Sequence, residues 1–171
     1  MRRVWFIVLI AVLLASCGYK PTNIYTKKIL GDSIYVDVSI SKVDPQNSIL
    51  IVDAINQAVI TKFRSKLVKD KSRATSKMYI SLKSVSFKPI QYDQNGYVIA
   101  YKTLVSLETR YIDRNGKQRV ITSSGDYDFS IEANSIISDN KRFDAIKYGA
   151  SKAIDELISK ISVRGVMSEK E

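Results

Sequence analysis

Two Asn-Gly pairs, Asn95-Gly96 and Asn115-Gly116, constrain this fold more than any other feature. Asn-Gly is the strongest short hairpin signal, because both residues tolerate positive φ. Each pair separates long runs rich in β-branched and aromatic residues, the composition of strands. Residues 78–88 put Met78, Ile80 and Leu82 on one face, then Val85 and Phe87 in the opposite phase. That phase change predicts a bulge near Lys83-Ser84. Residues 96–112 carry Tyr97, Val98, Ile99, Tyr101, Thr103, Val105 and Tyr111, and residues 119–132 carry Val120, Ile121, Tyr127, Phe129 and Ile131. The three runs are expected to form an antiparallel meander, with a kink at Gly125.

A fourth strand precedes them. Residues 33–41 alternate Ile34, Val36, Val38 and Ile40 against Tyr35, Asp37, Ser39 and Ser41, the pattern of a strand with one buried face. Asp44-Pro45 then starts a helix, since aspartate caps and proline suits the first helical position. Ile49, Val52, Ile55, Val59, Phe63 and Leu67 repeat at helical spacing. A second helix begins at Ser138-Asp139-Asn140 and presents Phe143, Ile146, Ala150, Ala153, Ile154, Leu157, Ile158 and Ile161 on one face. The order β-α-β-β-β-α predicts an α+β fold. Two amphipathic helices must bury their stripes, and one face of a sheet covers both. The expected architecture is a two-layer α/β sandwich, two helices on a four-stranded, mostly antiparallel sheet, with the other sheet face open.

The N-terminus reads as an export signal. Arg2 and Arg3 precede the wholly apolar run 4–14, which is shorter than the roughly 20 residues of a spanning helix. Leu14-Ala15-Ser16-Cys17-Gly18 resembles a bacterial lipobox, in which the thiol accepts a diacylglycerol and the bond before the cysteine is cut. Cys17 is the only cysteine in the chain, and lipidation accounts for a lone exported thiol. The alternatives are an ordinary cleaved signal or an uncleaved anchor. The expected division is a signal peptide at 1–16, a lipidated flexible tether at 17–32, one domain at 33–165 and a frayed tail at 166–171. By resemblance to known sorting rules, Gly18 after the cysteine favours the outer membrane.

Composition removes several function classes. The chain has no histidine, which excludes Ser-His-Asp and Cys-His catalysis and argues against a structural zinc site. No metal or cofactor is expected. The paired carboxylates of a glycosidase have one poor match, Asp126 and Asp128, two apart on a flat strand. The net charge is +8 without residues 1–16, from 25 basic and 17 acidic residues. An exported basic protein rarely meets nucleic acid, and none is expected as a partner. Its anionic partners are lipid head groups, lipopolysaccharide or acidic protein patches, unless the charge serves solubility alone.

Chain direction sorts the loops into two ends. One end collects Lys66, Lys69, Lys71, Arg73 and Lys77, then Arg114, Lys117 and Arg119 from the second Asn-Gly turn, then Lys160 and Arg164. The other collects mostly uncharged and acidic residues, with Lys141 and Arg142 in the minority. Lys69, Lys71, Arg73, Arg114, Lys117 and Arg119 are the candidate anionic-ligand residues. Tyr97, Tyr101 and Tyr111 share one strand face by parity, either packing in the sheet or forming an exposed aromatic stripe.

These features resemble one family. The Cys17-Gly18-Tyr19 start, the short tether and the element order are similar to those of the lipopolysaccharide-assembly lipoproteins, LptE. So are Asp44-Pro45-Gln46-Asn47 through Ala54, Gln91-Tyr92-Asp93 to Ala100-Tyr101-Lys102, and Gly125-Asp126-Tyr127-Asp128-Phe129 leading to Glu132-Ala133-Asn134. The last three stretches resemble the epsilon-type proteobacterial branch. The resemblance implies a non-catalytic outer-membrane lipoprotein whose domain plugs the large β-barrel LptD, binds lipopolysaccharide and helps deliver it to the outer leaflet. A lipoprotein activator of a periplasmic peptidoglycan synthase is the alternative, with the same tether and domain size but no need of an anionic-lipid site.

Overall fold

A computed structural model describes residues 29–40, 48–62 and 66–167. Its centre is the meander. Strands β3 (Ser76–Tyr92), β4 (Val98–Ile112) and β5 (Gln118–Ser130) pair antiparallel in succession. The register of β3 on β4 shifts between Leu82 and Ser84, where the sequence predicted a bulge, and again around Gln91.

Both Asn-Gly connections are hairpin turns, but of another type than the two-residue loop. In each, a glycine amide closes back on an aspartate carbonyl, Gly96 N to Asp93 O at 3.1 Å and Gly116 N to Asp113 O at 2.9 Å. Only the glycines have positive φ, at 83° and 78°. This is the longer loop, a β-turn followed by a left-handed glycine. The preceding aspartates select it. Asp93 Oδ1 accepts from the amides of Asn95 and Tyr97 at 2.9 and 2.8 Å, and Asp113 Oδ1 from those of Asn115 and Lys117 at 2.9 Å each.

Strand β1 (Ser33–Ile40) lies beside β3 and runs parallel to it. Helix α1 (Ser48–Lys62) makes the crossover between them. The chain then adds a short strand, β2 (Lys66–Leu67), parallel to β1 on its outer side. The sheet therefore has five strands, in the order β2-β1-β3-β4-β5, and is mixed rather than four-stranded. Leu67, read from its spacing as the last apolar position of the first helix, belongs to β2 and pairs with Ile34. A single helical-period match cannot separate a helix end from a two-residue strand. The Asp44-Pro45 start and Phe63 lie outside the described residues.

Helix α2 (Asp139–Met167) starts as expected, with Ser138 Oγ accepting from the Lys141 amide at 3.4 Å. It lies over β4 and β5, while α1 lies beside it over β1. Ala54, Ile55, Ala58 and Val59 from α1 and Ala150, Ala153, Ile154, Leu157 and Ile161 from α2 close on Met78, Ile80, Val105, Leu107 and Tyr111. Lys62 and Asp155 join the two helices by an ion pair of 2.6 Å.

At Gly125, where the sequence predicts a kink, the register to Val105 runs unbroken, so no bulge sits there. The glycine is needed for approach instead. A Cβ there would overlap Gly149 O and come within 2.8 Å of Lys152 Cβ, and one on Gly149 would come within 2.8 Å of Val105 Cγ2. The backbone of α2 thus rests on β5 at Gly125 and Gly149.

Helix α2 also covers the outer edge of β5, which would otherwise present unpaired backbone groups. The Ser124 amide donates to Glu156 Oε2 at 2.6 Å, and Lys160 Nζ donates to Thr122 O at 2.8 Å. Lys160 above all, and then the Ser124 amide, hold the Glu156 carboxyl below the ordinary glutamate range. A depressed folded-state pKa gives stability that is present above the unfolded value and lost as pH falls through the folded one. Glu156→Gln is expected to flatten the acid limb of the stability curve. The effect is small, because the side chain is 37% exposed and solvent screens the pair. Thermal midpoints from neutral pH into the acid range test this; parallel curves for the two proteins would exclude it.

Candidate anionic-ligand surface

The topology brings the six predicted cationic residues to one end of the sheet. Lys69, Lys71 and Arg73 lie between β2 and β3, the last two in a 3₁₀ turn, Lys71–Arg73. Arg114 and Lys117 lie in the β4–β5 turn, and Arg119 follows it. These stretches meet through residues 29–32. The Arg114 amide donates to Ile29 O at 3.1 Å, and the Lys66 amide to Asp32 O at 3.0 Å. Ser33 Oγ reaches Arg73 O at 3.3 Å, and the Thr75 amide donates to Ser33 O at 2.9 Å.

Carboxylates at this end are occupied elsewhere. Asp70 Oδ1 accepts from the Ser72 amide at 2.8 Å and its hydroxyl at 2.7 Å, and these bonds hold its carboxyl below the usual range. Asp113 is buried and spends one oxygen on two turn amides. Among the described residues, no carboxylate comes within ion-pair distance of any of the six cations. Five of them are exposed; Arg119 is half-buried. It sits opposite Tyr111 on the helix side of the sheet. Burial pushes the Tyr111 hydroxyl up, and Arg164 first, then the charge of Arg119, acts against that shift. An array of exposed, unpaired cations on two short loops can hold phosphate or carboxylate groups through charge-assisted hydrogen bonds.

The tyrosines do not make an exposed stripe. Tyr111 is fully buried under the helices, and Tyr101 stacks on Phe129 with centroids 6.0 Å apart. Tyr97 precedes β4 and is 45% exposed at the hairpin tip. The open face is mixed, with the Tyr35–Tyr79 ring pair and half-exposed Val120 beside polar residues. It carries a shallow depression of about 300 Å³ lined by Ser39, Tyr79, Ser81, Glu108 and Arg110. Strand alternation contained that signal, in Ser81 and Glu108 opposite the core phase.

Asp126 and Asp128 do share a strand side, but they converge on Lys102 Nζ at 3.4 and 3.0 Å, and Lys152 Nζ lies 3.7 Å from Asp126. Lys102 and then Lys152 hold the Asp126 carboxyl below its usual range, the reverse of what a general acid needs. Among the described residues no three potential metal-ligating side chains cluster, and no helix is long and apolar enough to cross a membrane.

The described residues form a small α+β domain with a set of loop cations gathered at one end of its sheet. Residues 35–161 match the LptE family, described as lipopolysaccharide-assembly, and the chain belongs to that family. It is a family of non-enzymatic, envelope-associated lipoproteins that work with LptD and lipopolysaccharide. Solved structures of similar shape include rare lipoprotein B from Shewanella oneidensis, 10% identical over 80% of this chain and 93% of that one, with a TM-score of 0.40. A protein from Xanthomonas campestris is 11% identical over 82% of this chain and 88% of that one, with a TM-score of 0.47. No curated protein matches the sequence.

Proposed function

We propose that this protein is an outer-membrane lipoprotein, acylated at Cys17, whose domain binds and plugs an LptD-type β-barrel and assists the insertion of lipopolysaccharide. In this reading the domain binds lipopolysaccharide itself. Lys69, Lys71, Arg73, Arg114, Lys117 and Arg119 hold its phosphates and carboxylates. The observation that carries the ligand class is the set of cations left unpaired while Asp70 and Asp113 are taken up by backbone and hydroxyl donors. Family membership supports the partner.

Two experiments test it. Full-length tagged protein, captured from detergent-solubilised outer membranes, should bring down a stoichiometric, heat-modifiable β-barrel. A peptidoglycan synthase in its place would transfer the protein to the activator class. In a titration with lipopolysaccharide, Lys117→Glu with Arg119→Glu is expected to weaken binding at least about tenfold, since hydrogen bonds to charged groups contribute about 1.5–3 kcal/mol each. Unchanged affinity would remove the basic end from the ligand site.

A further inference from the structure

The chain that precedes the domain leaves it at the basic end. Leu30 is fully buried, Gly31 is fixed at φ 75° against Thr75, and Ile29 O is held by the Arg114 amide. On one side of this exit stands the loop with Lys69, Lys71 and Arg73; on the other stands the turn with Arg114 and Lys117. Residues 18–28 separate Cys17 from Ile29, a stretch that reaches at most about 40 Å. The opposite end differs in kind. Beyond Leu82, among the described residues, β3 pairs only with β4. Its hairpin carries Ile90, Tyr92 and Tyr97 at 45%, 57% and 45% exposure, with Ile136 at 91% in the loop before α2. Of the cations there, Lys88 is exposed, Lys102 is ion-paired with Asp126 and Asp128, Lys141 Nζ bonds Ser130 O and Arg142 lies over the Phe87 ring at 5.5 Å.

We infer that, before the domain engages its barrel, the basic end docks on the anionic phospholipid surface of the leaflet that holds the Cys17 acyl chains, with the β3–β4 hairpin directed away from it. The inference rests on the proposed acylation of Cys17. A lipid surface with negative head groups attracts each nearby lysine or arginine by about fivefold in partitioning. Five exposed cations around the point where the tether must return to the membrane are therefore held against it. The attraction acts within about 8 Å at physiological salt, so it selects one end of a long domain. Asn95 and Asn115 mark the two ends, separated by the fifteen residues of β4, or about 50 Å at 3.3 Å each.

The test uses full-length, lipidated protein in vesicles of phosphatidylcholine with and without phosphatidylglycerol, both carrying a head-group quencher. Acylation consumes Cys17, so Asn115→Cys and Asn95→Cys each give one labelling site in an exposed turn. The Asn115 probe should be quenched in anionic vesicles, less in neutral ones, and released by salt, while the Asn95 probe stays unquenched in both. Arg114→Glu with Lys117→Glu, read from a probe at Lys71→Cys, should shift the docked-to-undocked ratio by at least about twenty-five-fold. Equal quenching at both ends, stronger quenching at Asn95, or indifference to lipid charge and charge reversal would overturn the inference, as would an unmodified Cys17 by mass spectrometry. Lipopolysaccharide affinity is measured separately: its loss with the quenching pattern intact strikes the proposed ligand and leaves the orientation standing.

Discussion

Gly125→Val is expected to destabilise the domain by about 3 kcal/mol, the upper part of the range for forcing atoms into a packed site. The reason is which atoms would be struck. A Cβ at 125 meets Gly149 O and Ala153 N, which are helix backbone, and neither can swing aside as a side-chain end would. Relief requires α2 to rise from β5. That would also strain the contact of Gly149 with Val105 and the reach of Glu156 and Lys160 to the β5 edge. Gly125 has no positive φ, so the cost is steric and Gly125→Ala should show the same sign with smaller size. Denaturant midpoints measure it; a midpoint within error of the parent would mean the helix is free to move.

Leu30→Ala is expected to cost about 2–5 kcal/mol, the range for emptying a fully buried leucine site. The residue lies in the span read from composition as tether, three positions before the first strand, yet it is part of the core. Its loss should also free the Arg114 amide, which donates to the neighbouring Ile29 O. Hydrogen exchange at Arg114 then rises more than at Asp113, whose amide is held within the turn by Lys117 O. Ile60→Ala is the control. At 66% exposure it should stay within about 0.5 kcal/mol of the parent. Equal effects at Leu30 and Ile60 would place residues 29–32 outside the folded unit.

These two sites separate what local pattern can carry from what it cannot. The meander, its bulge near Lys83-Ser84, the burial of Ile34 and the apolar face of α2 were legible because each is a period of two or 3.6 written in adjacent residues. The gathering of Lys69, Lys71, Arg73, Arg114 and Lys117 at one end was legible too, since alternating strand and helix directions decide which loops share an end. The turn type was half legible. Asn-Gly marked the places, but the choice of loop lies in Asp93 and Asp113, whose carboxylates collect the turn amides.

The sequence by itself determined the order of the four long strands and two helices, the two-layer architecture and the polarity of charge along the sheet. Tertiary structure alone decided the fifth strand, because Lys66 and Leu67 become a strand only when the edge of β1 stands ready to pair with them. It alone decided that Gly125 serves a helix–sheet contact, since Gly149 is 24 residues away in the chain. It alone showed that Arg119 turns toward Tyr111 while its neighbours face water, and that the chain enters the domain between the two basic loops. Each of these depends on contacts between residues far apart in sequence, and no local spacing encodes them.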